Sequence, residues 1–253
     1  MKKILSIAVY TLRQNIRNRI YYILVFFATV LIFVYFLLSV LGGEESLRII
    51  LDFGLTTIEF FALLLVIFSG VSLILEEIES KTVYLVLVRP IPKWYYIIGR
   101  YFGLVLSTYI GMIIMYLIHC AVLFCKGWSF DINYLYSVIS SFMKIAIIGS
   151  LAVFFSLFST SSASSLVFTF FLWLLGHFTS EIKFLIKKAG APLLKILLEI
   201  FYFIIPNLQY FNWRDFLGSG LAPSWLLIAF LYGASYCLIF LILSIILFNK
   251  KEF

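Results

Sequence analysis

Two charged residues stand alone inside long apolar runs of this sequence: Glu59 between Phe53 and Leu75, and Lys144 between Tyr136 and Ser180. An unpaired charge in hydrocarbon costs about 2.5–3.5 kcal/mol on insertion scales, so each asks for a partner or a task. At about 1.5 Å per residue they lie about 9 Å and about 12 Å from the outer ends of their runs, close enough in depth to pair. A fixed ion pair, a snorkelling lysine, contact with cargo and proton coupling are all open for Glu59 and Lys144.

Other chemistry-bearing residues are harder to assemble. His119 and His177 fall near the outer ends of apolar runs, with Cys120 and Cys125 close to the first. A metal path is weakened because Cys120 adjoins His119 and so points about 100° away from it on a helix. The cysteines form no CxxC pair, and neither a disulfide framework nor a zinc site is expected. A nucleophile is no easier to find: Ser150 sits deeper than either histidine, while Glu76 and Glu77 lie at the opposite surface. An intramembrane protease or hydrolase needs these groups at one depth. No GxxxxGK[ST] phosphate-cradling loop occurs, so the chain is not expected to hydrolyse ATP. No catalytic, cofactor-binding or metal residues are expected.

Residues 76–100 read EEIESKTVYLVLVRPIPKWYYIIGR: an acidic start, an apolar stretch, Pro90 and Pro92, and a basic restart. The prolines break helix continuity and set a short hairpin. From the residues alone this is either a loop kept wet by its charges or a surface that meets a partner. Gly99, Gly103, Ser107 and Gly111 then recur every fourth residue, placing small side chains on one helical face. Such a stripe admits another helix closely, either from the same chain or across a dimer seam.

These residues need a membrane to position them. Hydrophobic residues make up 64% of the chain and charged ones 12%, with a mean hydropathy of +1.11; soluble domains carry about 45–50% and about 25%. Six spans are expected: 20–43, about 53–75, about 100–124, two within 136–180 separated by the serine-rich turn at Ser159–Ser165, and about 225–248. Residues 2–19, with Ile4, Ala8, Leu12 and Ile16 four apart among Lys2, Lys3, Arg13, Arg17 and Arg19, suggest an amphipathic helix lying in the interface. Within the outer segment 181–224, the run Ile196–Ile205 is too short to span comfortably and is read as an interfacial or re-entrant helix, with further crossings as the rival reading. The expected fold is therefore all-α and polytopic. No removable signal peptide is evident. Eleven basic residues on the side of the termini against seven on the other favour cytoplasmic ends for both. The basic residues gather at chain ends and loops rather than along an aromatic strip, so nucleic acid is not an expected partner, and membrane lipid is.

The order of these features resembles the ABC type-2 permease family. The match rests on Glu76, Glu79, Thr82, Leu87, Pro90, Gly99 and Arg100, which are similar to that family's first cytoplasmic loop. The basic N-terminal helix resembles its connecting helix, and Ile205, Pro206, Asn207, Leu208 and Phe211 resemble its outer Pro-Asn segment. Stand-alone permeases of this length, including the nitrous-oxide-reductase maturation type, are the nearest likeness. The resemblance implies one ABC type-2 transmembrane domain over residues 1–253 in the cytoplasmic membrane. It also implies an ATPase-coupling surface formed by Glu76, Glu77, Glu79, Lys81, Thr82, Val83, Leu87, Arg89 and Pro90. ATP and Mg would lie on a separate ATPase subunit, two permease copies would work with two ATPases, and export would be the direction. The outer segment leaves room for an extracytoplasmic partner. A non-transporting scaffold and an intramembrane enzyme are the alternatives, and lipid, peptide, drug, sulfur species and metal complex all stay open as cargo.

Overall fold

The computed structural model describes residues 2–17, 22–41, 46–82, 92–190, 192–213 and 224–251, and among these it contains helices and no strands. The apolar runs fold as helices because backbone N–H and C=O groups in lipid must be satisfied within their own segment. In chain order the elements are α1 (Lys2–Arg17), α2 (Tyr22–Leu41), α3 (Ser46–Glu79), α4 (Lys93–Cys125), α5 (Ile132–Phe158), α6 (Ser162–His177), α7 (Thr179–Lys188), α8 (Pro192–Ile204), a 3-10 turn (Leu208–Phe211) and α9 (Ser224–Lys250).

Five stretches are long and apolar enough to cross a membrane: α3, α4, α5, residues 192–211 and α9. Two bent pairs, α1 with α2 at 55° and α6 with α7 at 66°, raise the number to as many as seven. A membrane-embedded helical protein follows from either number. The central helix is α3, whose Ile58, Ala62, Leu63 and Val66 are fully buried against α2, α4 and α5. With 34 residues it is about 51 Å long, so it outruns a hydrocarbon layer of about 30 Å and carries its acidic end beyond it. Between α5 and α6 the chain breaks at Ser159–Ser161, where the Ser161 side chain caps α6 by accepting from Ser164 N.

Burial distinguishes the faces of two amphipathic segments. In α1 the buried side is Ala8, Thr11 and Asn15, while Ile16 is 46% exposed. Steps of four drift by about 40° each around a helix, so the row Ile4–Ala8–Leu12–Ile16 winds off the seam that mixed steps of three and four follow. The second lies in the outer segment. No residue of α8 is buried, so the apolar run stays on the outside of the bundle. What re-enters is Pro206–Trp213, with Leu208 0%, Phe211 2% and Trp213 4% exposed.

Gly176 makes that re-entry possible. A Cβ there would lie 2.7 Å from Leu208 Cγ and 2.8 Å from the Pro206 carbonyl oxygen. The segment is fastened from α9 as well, since Asn207 N donates to Tyr232 Oη at 2.7 Å.

Candidate functional site

The end of α3 and the start of α4 both fall within the 76–100 segment, and one guanidinium joins them. Arg100 is 2% exposed. Its Nη2 pairs with Glu77 Oε1, while Nη1 donates to Thr11 Oγ1 at 3.1 Å and to Gln14 Oε1 at 3.0 Å. Tyr96 donates its hydroxyl to Glu77 Oε2 at 2.5 Å, and the Tyr10 and Tyr96 rings lie 5.3 and 5.4 Å from the guanidinium carbon. The fork geometry of arginine lets one cation bridge α1, α3 and α4 at once. On the other side of Tyr96 the ring of Phe248, near the end of α9, stacks at 5.2 Å.

The small-residue stripe is filled from within the chain. A Cβ on Gly99 would sit 2.7 Å from Ile7 Cβ, and one on Gly103 2.4 Å from Thr11 Cβ and 2.6 Å from the Ala8 carbonyl oxygen. Asn15 Nδ2 donates to Ser107 Oγ at 2.7 Å, extending the same seam. Gly111 instead faces α3, where a Cβ would lie 3.0 Å from Leu65 Cδ1. So α1 docks on α4 through Gly99, Gly103 and Ser107, with Arg100 at its edge.

Of the residues expected at the coupling surface, Glu76, Glu79, Lys81 and Thr82 are exposed. Glu77 departs from that expectation: its carboxylate turns inward to Arg100 and Tyr96, because a buried guanidinium needs a counter-charge. Lys81 ends the helix with a φ of 57°, the left-handed conformation common after a last turn. Val83, Leu87, Arg89 and Pro90 lie outside the described residues.

A second polar cluster lies about 27 Å along α3 from the first, eighteen residues from Glu77. Lys144 Nζ donates to Glu59 Oε1 at 2.6 Å, with side-chain exposures of 0% and 8%. It also donates to Asn212 Oδ1, and His177 Nε2 lies 3.3 Å away. His177 Nε2 is in turn 3.4 Å from Glu59 Oε1. Four elements contribute: α3, α5, the end of α6 and the re-entrant segment.

The cluster lies where α6 stops. Its 16 residues span about 24 Å, less than a hydrocarbon layer of about 30 Å, and the chain bends there by 66° into α7. His177 Nδ1 bonds the Trp173 carbonyl oxygen at 2.9 Å, and Gln209 Nε2 donates to the His177 carbonyl oxygen at 2.6 Å. The re-entrant segment thus satisfies a broken helix end and supplies Asn212 to Lys144. The sequence reading paired Glu59 with Lys144 by depth but had no signal for Asn212.

The remaining candidates have structural surroundings. His119 is fully buried, with Nδ1 3.0 Å from Tyr134 Oη and Nε2 3.4 Å from the Ile50 carbonyl oxygen. It fits only because residue 54 is glycine: a Cβ there would lie 2.1 Å from His119 Nε2. Ser150 Oγ donates to the Ile147 carbonyl oxygen at 2.7 Å, within its own helix. Among the described residues no three His, Cys, Asp or Glu side chains converge as a metal site would require, and the three cysteines are unpaired. No protein-family model matches the chain, and no curated protein matches it in sequence.

Proposed function

We propose that this chain is the permease subunit of an ATP-driven ABC transporter, an exporter that couples hydrolysis on a separate ATPase to movement of cargo. Six of the helices cross the membrane in this reading, α2, α3, α4, α5, α6 and α9, with both termini in the cytoplasm. The observation that supports it most is the buried Arg100 junction. A segment that receives force from an ATPase must pass it to the bundle without absorbing it locally. Arg100 ties α1, α3 and α4 together at both roots of residues 83–91. Glu76, Glu79, Lys81 and Thr82 are exposed at the same end, free to set charge complementarity with a partner. Displacement there would shift α3 and α4 as one body, the rigid-body element that alternating access requires.

The test is co-expression with a candidate ATPase from the same locus and purification by a tag on this chain. ATP turnover is then compared for the wild type and the double variant Glu76→Arg/Glu79→Arg. The wild type should retain the ATPase, and the double variant should lose or uncouple turnover by about tenfold, as expected when several exposed charges at an interface are reversed. If the chain purifies alone and charge reversal changes nothing, the permease reading fails and a scaffold without transport activity takes its place.

A further inference from the structure

No residue of α8 is buried, yet one face of it is wholly apolar. Leu193, Ile196, Leu197, Ile200, Phe203 and Ile204 recur at helical spacing along that face and are 47–75% exposed. Lys195, Glu199 and Tyr202 gather on the opposite side, within an arc of about 60° at about 100° per residue. Leaving six such side chains in water is unfavourable, so something apolar covers them. The helix is tethered rather than loose: α7 packs against it, and Tyr236 of α9 donates to the Phe203 carbonyl oxygen at 2.9 Å. Leu227, Ile228 and Leu231 of α9 are themselves exposed. So α8 is fixed beside a helix that is apolar on its outside and long enough to cross a membrane.

The polar side of α7 is basic. Lys183, Lys187 and Lys188 are exposed there, and Lys195 is exposed in the first turn of α8. Ile182, Leu185 and Ile186 occupy the other side of α7. Glu181 accepts from Ser180, and among the described residues none of the four lysines pairs with a carboxylate. Lys188 Nζ instead lies 4.6 Å from the centre of the Phe184 ring. Residues 179–204 carry four lysines against two glutamates, so the hairpin joins a bare apolar face to a surplus of ammonium groups.

We propose that the α7–α8 hairpin is a binding site for anionic phospholipid. In it α8 lies flat in the membrane interface with its apolar face among acyl chains, while Lys183, Lys187, Lys188 and Lys195 hold headgroup phosphates. A phospholipid presents these two chemistries one above the other, acyl chain below and phosphate above, which is the order an amphipathic helix with basic flanks requires. The four-carbon lysine stems carry the ammonium groups up to phosphate level from a backbone that lies deeper. At about 20 Å, α8 is too short to cross the hydrocarbon layer and long enough to lie along it. A second copy docked on the same face would set lysine against lysine, so charge favours lipid over self-association.

The test uses the full chain reconstituted alone in phosphatidylcholine vesicles that contain a fixed share of lipid brominated in its acyl chains, either phosphatidylglycerol or phosphatidylcholine. With the native cysteines replaced by alanine, a fluorophore is attached through Leu193→Cys or Ile204→Cys, the two ends of the apolar face. Bromines at one depth should quench both positions alike, since a flat helix holds them level, whereas a crossing helix would separate them by about 16 Å. Around Leu193→Cys, brominated phosphatidylglycerol should quench as though enriched at least about fivefold over brominated phosphatidylcholine, the effect of one lysine at an anionic surface. Lys183→Gln/Lys187→Gln/Lys188→Gln/Lys195→Gln should abolish that enrichment and keep the quenching by phosphatidylcholine, while Arg13→Gln/Arg17→Gln in α1 should change neither. Three results would each overturn the proposal. The first is no quenching at either position, which would mean that protein covers α8. The second is unequal depth at its two ends. The third is an enrichment that is absent from the wild type or survives the loss of the four lysines. No ATPase is present in these measurements, so their outcome is independent of the permease reading.

Discussion

Lys144 illustrates how little a buried charge tolerates the loss of its partner. Its ammonium carries three N–H bonds, and Glu59, Asn212 and His177 each place an acceptor near it. Removing one member of a buried pair costs about 3–5 kcal/mol because the survivor stays desolvated, whereas replacing both by groups of similar shape costs far less. Glu59→Gln and Lys144→Met should therefore each lower stability by about that amount in lipid bicelles, and the double variant should recover most of the loss. Unfolding of all three variants under one denaturant measures this directly, and additive losses would show that the pair has no special coupling. That Glu59 and Lys144 matter is legible in the sequence because each is the one charge in a run that excludes charges. His177 and Asn212 are not legible in the same way. They sit at the ends of apolar runs, where polar residues are ordinary, and they meet Lys144 across separations of 33 and 68 residues that no local pattern encodes. Arg100 misled in a milder fashion: among the basic residues of the 76–100 segment, nothing marks it as the buried one or Glu77 as its inward partner.

At the level of elements, small residues report a close approach but not what approaches. The repeat from Gly99 to Gly111 marks one face of α4, yet the sequence leaves open a neighbour in the chain or a second copy. The occupant is α1, and it is selected by side chains that a hydrophobic pattern undervalues: Thr11 accepts from Arg100 and Asn15 donates to Ser107. In the far segment the sequence drew notice both to the apolar run in α8 and to Ile205–Phe211, and it is Pro206–Trp213, with its Asn, Gln and Trp, that packs. Gly103→Ala tests the seam. The added methyl would press on the Ala8 backbone oxygen at 2.6 Å, which cannot swing aside as a side chain can. Overpacking of this kind costs about 1–3 kcal/mol, more than alanine returns through helix propensity. Amide exchange across residues 4–15 should accelerate by about tenfold in Gly103→Ala, as about 1.4 kcal/mol implies. Gly190→Ala, where nothing lies within 4 Å of a new Cβ, should leave it unchanged. Equal behaviour of the two variants would mean that α1 does not depend on this contact.

The whole molecule poses a question of parity, which decides whether the chain ends share a side. Composition alone admits five to seven crossings. Two contacts narrow the choice: Arg100 binds Thr11 of α1, and Tyr96 of the same helix turn stacks on Phe248 of α9. Both chain ends therefore converge on the junction of α3 and α4, which agrees with the even number of crossings in the proposed arrangement. The segment that would make the number odd is α8. Its 13 residues reach about 20 Å, short of the hydrocarbon thickness. Beyond Ile204 the chain does not continue outward: Tyr236 of α9 donates to the Phe203 carbonyl oxygen at 2.9 Å, and Asn207 is held by Tyr232. In the proposed six-span arrangement this stretch turns back rather than crosses. We expect tags on both termini, and a cysteine placed by Glu79→Cys, to react with impermeant reagents only in inside-out vesicles. A cysteine placed by Lys187→Cys in α7 should react only in right-side-out ones. The native cysteines, of which Cys125 is exposed, would be replaced first. Opposite accessibility of the two tags would make α8 a true crossing and overturn the six-span arrangement. If both termini and Glu79→Cys react together but from outside, the six spans stand and the basic-residue count has given the wrong orientation. In that case the exposed acids at the end of α3 could not meet a cytoplasmic ATPase, and the proposed function would fall with the orientation.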